Sequence, residues 1–477
     1  MQLRRKCYRP LSADADVTAG RALLVLAIVA GVWCRFHRLG SLSMSADEGA
    51  AWAAAVQPVS SLLQLQPQLD SGKLALYDLV LHFWIRMFGD SLSAMRGLSA
   101  AIGAISILLI FGLVREIYRC FAEGQPTRGE IAGGFVALMF ATNVAMVDTA
   151  RTARMYPLTI AAELAQILYF IRAQRYGRIS NYIGSAIFLA LAVAANFTAT
   201  FVLAGESLWL AYLLIARLWR RSQTDLQITR PAMSLFAGCV LLLPFARGAI
   251  AASCNAISGG VLNWIRFQPP LSWSLNVLRG GVGNKSLFLL ECALAGFALW
   301  RYRKNAPLVP IFIIFMLLGP FVAVMIISLL GRAMMVDRYV LFALVAFLAL
   351  AASGAEAFAA WPARGLVLFL IILLSVRALR HSSGFWVDWR EATAIACANS
   401  PRNAEIGVVP AYAVNVVRYH LPPERRSLAT GLDSACGNSQ LLIVNPGHLI
   451  PPDYMSQLLT CYPQLVGRAT RVEVRSR

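Results

Sequence analysis

Ser45-Ala46-Asp47-Glu48-Gly49-Ala50-Ala51-Trp52 sets two adjacent carboxylates a few residues beyond the first long apolar run, in a chain that otherwise avoids acid. Paired acids next to a bilayer are costly unless they face water or a polar cavity. The pair therefore marks either a functional site or a solvated loop, and its flanks bear on which. Upstream, Arg4, Arg5, Lys6 and Arg9 precede an apolar run over Thr18 to Arg35. That run has no small-x-small cleavage site after it, so it is expected to stay as the first span, with Arg21 snorkelling at its start. A basic N-terminus belongs in the cytoplasm, which puts Asp47 and Glu48 on the outer face.

The rest of the composition agrees with a membrane setting. Of 477 residues, 58% are apolar and 14% charged, and runs long enough to cross hydrocarbon recur along most of the length. A soluble multi-domain protein is excluded. The formal charge of +19 sits in short arginine blocks between apolar runs, the pattern of a cytoplasmic face, so no nucleic-acid partner is expected.

Downstream of the acidic pair, Pro58, Pro67 and Gly72 break the chain into short apolar pieces, as in interfacial helices. In the piece Lys73 to Phe88, Asp78, His82 and Arg86 form one polar stripe at helical spacing, which fits a helix lying on the membrane better than a crossing. Further spans are expected at Gly97–Val114, Ile131–Val147, Pro157–Ile171, Ile179–Asn196, Thr200–Ala216, Pro231–Phe245, Leu287–Trp300, Ala306–Leu329, Tyr339–Ala355 and Gly365–Val376. With the first, these make about eleven. That count places Arg115/Arg119/Arg128, Arg172/Arg175/Arg178, Arg217/Arg220/Arg221/Arg230 and Arg301/Arg303/Lys304 together in the cytoplasm. One span more before Arg115 would reverse them all.

The expected fold class is an all-α polytopic membrane protein with outer-face juxtamembrane helices, followed by a small α/β domain outside the cytoplasm. Residues 1–380 form the membrane domain, with a first outer loop over 37–93, and residues 381–477 form the tail domain. In the tail, GVVPAYAVNVVRYHL, LLIVNP and the alternating LVGRATRVEVR are strand and helix signals separated by proline and glycine. Cys397, Cys436 and Cys461 lie there, where a disulfide is compatible with an oxidising compartment.

Basic residues stationed outside contradict the topology rule and call for an anion, for which a lipid phosphate at the outer leaflet is the obvious source. Lys73, Arg151, Arg154, Arg332 and Arg338 are the candidates, beside Asp47, Glu48, Asp148 and Tyr156. Arg247, Arg266 and Arg279, with Trp264, Phe267 and Trp273, line the same groove or form an interfacial belt. The five histidines make no ligand pair, so no metal site is expected. Glu163, Glu206 and Glu291 fall in apolar runs, and a helix-holding role is preferred to a proton relay.

The Asp47-Glu48 pair, Ser71-Gly72-Lys73-Leu74 with Leu76, FGDSLSAMRGLSA (Phe88 to Ala100), TARMYPL (Thr152 to Leu158), DRYVLFALVAFLAL (Asp337 to Leu350) and DWREATAIA (Asp388 to Ala396) occur in this order. Together they resemble the GT-C glycosyltransferases, in particular the protein-mannosyltransferase-like branch that includes the lipid A aminoarabinose transferase. The resemblance implies an inverting transferase that takes a sugar from a polyprenyl-phosphate donor to a lipid A, glycan, lipid or protein acceptor on the periplasmic side of a bacterial inner membrane. On that resemblance Asp47 is the general base, Glu48 its neighbour, and Lys73 the lysine on the donor phosphate. Leu74-Ala75 follow the lysine where the family usually has prolines. Tyr156 stands at a second-loop position where some relatives carry an acid, with Asp148 the alternative acid in that loop. Two competing classes are a transporter of lipid-linked sugars coupled through Asp47/Glu48 and Glu206, and a silent scaffold that binds the donor.

Overall fold

The computed structural model describes residues 11–70, 72–122, 127–220, 226–246, 250, 254, 265–331, 333–381, 387–432, 437, 439–446 and 450–477. Arg247, Trp264, Arg332 and Cys436 lie outside them.

The first span is α1 (Leu11–Phe36). Three short helices follow at one end of the bundle: α2 (Ala46–Ala55), α3 (Val59–Leu69) and α4 (Leu76–Phe88). The bundle continues with α5 (Leu92–Phe121), α6 (Arg128–Thr142), α7 (Val144–Ala150), α8 (Tyr156–Tyr176), α9 (Ile179–Ala195), α10 (Val202–Arg220) and α11 (Thr229–Val240). It is completed by α12 (Pro270–Val282), α13 (Lys285–Tyr302), α14 (Leu308–Leu330), α15 (Leu341–Glu356) and α16 (Trp361–His381). A helical segment thus stands at each of the eleven expected spans. Among the described residues six helices are long and apolar enough to cross alone, and eight if α6 with α7 (bent by 59°) and α12 with α13 (bent by 112°) each count as one. The remaining three fall short for physical reasons. α9 and α11 are short, and α8 carries Glu163, Gln166, Arg172 and Gln174 inside its apolar pattern.

Helix ends in a bilayer must find donors for their last carbonyls. Two arginines solve this reciprocally. Arg35, fully buried at the end of α1, donates to the Ala141 carbonyl (2.9 Å) at the end of α6. Arg151, just past α7, donates to the Cys34 carbonyl (2.9 Å) at the end of α1. At the opposite, basic end, Glu356 accepts from the Tyr302 hydroxyl and pairs with Arg128 (3.6 Å) and Arg364 (3.8 Å). Glu116 there accepts from the Tyr176 hydroxyl (2.8 Å) and pairs with Arg172 (3.7 Å). Arg119 and Arg172, from two of the arginine blocks, thus meet at Glu116. The close approach of α15 to α13 requires glycine: a Cβ on Gly354 of α15 would fall on the Leu294 carbonyl of α13.

α4 has the expected amphipathic form. Tyr77, Asp78, Leu81 and His82 are buried inward, while Phe83, Met87 and Phe88 are exposed. The tail is the expected α/β unit: β1 (Ile406–Val409), β2 (Ala429–Gly431), β3 (Leu441–Val444), β4 (Gln464–Ala469) and β5 (Val472–Ser476) form one sheet in the order β2-β1-β3-β5-β4. β1 is parallel to β2 and β3, and β4-β5 is an antiparallel hairpin. α17 (Trp389–Ala398), α18 (Val414–His420) and α19 (Pro452–Cys461) pack around it. Cys461 is disulfide-bonded and Cys397 is a free thiol. The tail is no separate lobe, because Met44, Trp52 and Leu98 share one core with Trp389, Val416 and Ile443.

Overpacking at a backbone contact costs about 1–3 kcal/mol. Gly354→Leu is expected to lower the unfolding temperature in detergent, whereas Gly365→Leu, with nothing near its Cβ position, is not. Equal melting temperatures for the two variants would contradict the α13–α15 contact.

Candidate active site

The acidic pair opens α2, and its two carboxylates have opposite fates. Ser45 is the N-cap: its Oγ accepts the Glu48 N–H (3.3 Å), and the Glu48 carboxylate accepts the Ser45 N–H (2.9 Å), a closed capping box. The same carboxylate accepts Arg96 Nε (2.8 Å), Arg96 Nη2 (2.9 Å) and the Ala153 N–H (2.8 Å). Arg96, projecting from α5, also donates to the carbonyls of Leu39 (3.0 Å), Leu42 (3.0 Å) and Ser43 (2.9 Å). Glu48 is fully buried with its acceptor positions filled, so it anchors the loop.

Asp47, one residue earlier on the helix, points the other way with 47% of its side chain exposed. Its Oδ2 lies 3.4 Å from Arg338 Nη1 and 3.8 Å from Arg154 Nη2. Arg154 also donates through Nη1 to the Asp47 carbonyl (3.1 Å) and stacks over the Tyr156 ring (5.8 Å). A second carboxylate completes the cluster. Asp70 Oδ2, at the end of α3, lies 3.0 Å from Arg154 Nη2, and Asp70 Oδ1 accepts the Gly72 N–H (3.2 Å). Lys73 Nζ is 3.9 Å from Asp70 and 2.8 Å from Asp78, and it is buried. Burial works to raise the Asp70 carboxyl, but Arg154, Lys73 and the Gly72 N–H outweigh it and hold the group below the usual carboxylate range. At Asp78 burial wins over Lys73, and the carboxyl is pushed up.

The expected residues therefore divide. Asp47, Arg154, Arg338 and Tyr156 come together, with Lys73 behind Asp70. Arg151 is spent on the end of α1, and Asp148 sits beside it on α7, half-buried, its carbonyl taking the Arg151 N–H (3.1 Å). Arg266 and Arg279 are exposed. Asp70 and Arg96 were not anticipated. The Asp70-Ser-Gly-Lys73 spacing and an arginine among the small residues of Ala94 to Ala100 are the signals that carried them. Asp47 has guanidinium neighbours, and among the described residues no three His, Cys, Asp or Glu side chains converge as metal ligands.

The tail fastens onto the back of this helix. Gly49 abuts Asn415 and Val416 of α18, and Trp52 meets Tyr419 edge-on (5.3 Å). Trp52 Nε1 donates to Asp90 (3.3 Å), the Tyr419 hydroxyl to the Asp90 carbonyl (3.1 Å), and the Arg390 N–H to Ser43 Oγ (3.1 Å). A small cleft is lined by Arg338, Tyr156, Thr159, Glu163, Asn196 and Phe342 among others.

No protein-family model matches the sequence, and no curated protein matches it. Solved structures do. ArnT from Cupriavidus metallidurans bound to undecaprenyl phosphate superposes with a TM-score of 0.60 at 13% identity, over 95% of this chain and 98% of that one. The Archaeoglobus fulgidus oligosaccharyltransferase in complex with Zn and sulfate gives 0.52 at 10% identity, over 89% of this chain and 68% of that one. The same enzyme tethered to an acceptor peptide gives 0.51 at 10% identity, over 86% and 63%. At these identities the likeness is one of fold.

Removing one partner of a buried ion pair costs about 3–5 kcal/mol. Arg96→Met is therefore expected to cut the yield of folded protein sharply, measured by monodisperse recovery in detergent; normal recovery would contradict the anchoring role. Asp70 has a depressed folded value, so its stabilisation is complete above the usual carboxylate range and is lost as pH falls through that depressed value. Asp70→Asn should melt lower than wild type at neutral pH, with the gap closing in acid. A gap constant with pH would remove the Asp70–Arg154 attribution.

Proposed function

We propose, for a chain whose fold is that of the GT-C superfamily, that it is a membrane glycosyltransferase which moves a sugar from a polyprenyl-phosphate donor to a cell-envelope acceptor, whether lipid A, glycan, lipid or protein. The observation that carries this is Asp47: a half-exposed carboxylate flanked by the guanidinium groups of Arg338 and Arg154. In an inverting transfer the acceptor hydroxyl gives its proton to Asp47, its oxygen bonds to the anomeric carbon, and the bond from that carbon to the phosphate oxygen breaks. The electron pair leaves on the polyprenyl phosphate. Arg338 and Arg154 would receive that charge, with Lys73 as a point charge behind Asp70. Undecaprenyl phosphate on the superposed ArnT is the corresponding lipid, and supports this donor class.

The placement proposed is a bacterial inner membrane with the site facing the periplasm. The disulfide at Cys461 and the basic blocks at the far end of the bundle both support that orientation. The transport alternative relied on Glu206 as a coupling acid. Glu206 is fully buried and accepts from Gln166 (2.8 Å), which suits a tie between helices.

A general base contributes typically about 10²–10⁴-fold. Purified protein supplied with a mixture of polyprenyl-phosphate sugars and envelope acceptors is expected to release free polyprenyl phosphate, with the rate falling by about that factor in Asp47→Asn. Lys73→Ala should raise the donor KM more than the acceptor KM. Full turnover by Asp47→Asn would remove it as base, and movement of donor between leaflets without phosphate release would replace the transferase with a transporter.

A further inference from the structure

Gln66 stands in the last turn of α3 and is 2% exposed. Its Nε2 donates to the Asp70 carbonyl (2.6 Å) and to the Lys73 carbonyl (3.3 Å). One buried amide thus spends its N–H groups on the two residues whose charges stand 3.9 Å apart beside Arg154. The junction of α9 with α10 holds the same stretch through backbone alone. The Gly72 carbonyl accepts the Phe197 N–H (3.1 Å), and the Leu74 N–H donates to the Ala194 carbonyl (3.1 Å), one bond on each side of Lys73. The Lys73 ammonium also lies over the Tyr77 ring (5.5 Å), which is fully buried.

Closing α3 does not require this arrangement. The Asp70 N–H already bonds the Gln66 carbonyl (2.9 Å), and a further bond to Lys73, seven residues on, adds nothing to the helix. What the amide fixes is the spacing between the Asp70 carboxylate and the Lys73 ammonium. The interaction of two charges varies steeply with distance when they are this close. Asp70 lies 3.0 Å from Arg154 and works against the charge that Arg154 can offer another anion, while Lys73 offsets Asp70. The position of Lys73 therefore sets how much positive charge remains beside Asp47.

We infer that Gln66 is a positioning residue for phosphate: it holds Lys73 where the lysine offsets Asp70, and so leaves Arg154 its charge for the departing group. The inference rests on the polyprenyl-phosphate donor proposed above. It adds to that reading a residue that touches neither substrate nor reacting atoms and acts through Lys73.

The test measures binding of undecaprenyl phosphate and of uncharged undecaprenol to the full chain in lipid nanodiscs. Gln66→Met keeps the length of the side chain and removes the N–H donors. A hydrogen bond between uncharged groups is worth about two- to tenfold in an equilibrium. Gln66→Met is expected to weaken undecaprenyl phosphate by about that factor and to leave undecaprenol unchanged. Residues that act through one another are not additive, so Gln66→Met combined with Lys73→Ala should bind the phosphate lipid as Lys73→Ala alone does. A Gln66 that served architecture alone would weaken both lipids alike and add its effect to that of Lys73→Ala. Either result would overturn the positioning role while leaving the donor class standing. Gln66→Asn, which draws the amide back by one methylene, repeats the cycle if Gln66→Met does not fold, and failure of both to fold would make Gln66 a folding residue and overturn the inference. Wild type binding undecaprenyl phosphate no better than undecaprenol would overturn the donor class, and this inference with it.

Discussion

Much of the outer half of this protein depends on the contact between Glu48 and Arg96. Arg96 enters from a long membrane helix and takes up three loop carbonyls besides the carboxylate. Glu48 at the same time closes the capping box of α2 and receives the N–H of Ala153 from the loop before α8. One buried ion pair thus fixes α2, the approach to it from α1, and the second outer loop against a single helix. Such a pair is weak as a source of net stability, because desolvation offsets most of the attraction. Its value is geometric: it sets the start of α2, and therefore which way Asp47 points.

The two adjacent acids are chemically similar and are separated only by helix rotation. Rotation puts Glu48 inside, with its lone pairs consumed, and leaves Asp47 half in water beside Arg338 and Arg154. The arginines divide in the same manner. Arg35 and Arg151 are committed to helix ends, Arg96 to the anchor, and Arg154 and Arg338 to the open carboxylate. A count of outer-face cations would treat them alike, but their partners distinguish them.

This explains how much could be read in advance. The helical segments were legible because hydrophobic length is a local property. The tail strands were legible from Leu441 to Val444 and from the alternation around Arg468 to Arg475. The roles of Arg151 and Lys73 were not, since each depends on a partner outside its own motif: the Cys34 carbonyl for one, and for the other an Asp78 that sequence placed on a polar stripe without saying what it faced. Asp70 was missed because its meaning comes from Arg154, two outer loops' worth of chain away in sequence and in contact only after folding. α8 falls short of a span on hydropathy because Glu163, Gln166, Arg172 and Gln174 interrupt its apolar pattern.

The core shared by the tail and α2 also has a bearing on biosynthesis. Gly49, Trp52 and Ser43, near the start of the chain, are packed against Val416, Tyr419 and Arg390, near its end. The segment around α2 leaves the ribosome early, but the surface that packs against it is made only after α16. A nascent chain with its membrane helices in place still lacks half of the wall behind its acidic helix. The setting of the carboxylate is therefore complete only once α17 and α18 have been made, and a chain cut short after α16 would carry Asp47 without the surface that packs behind α2.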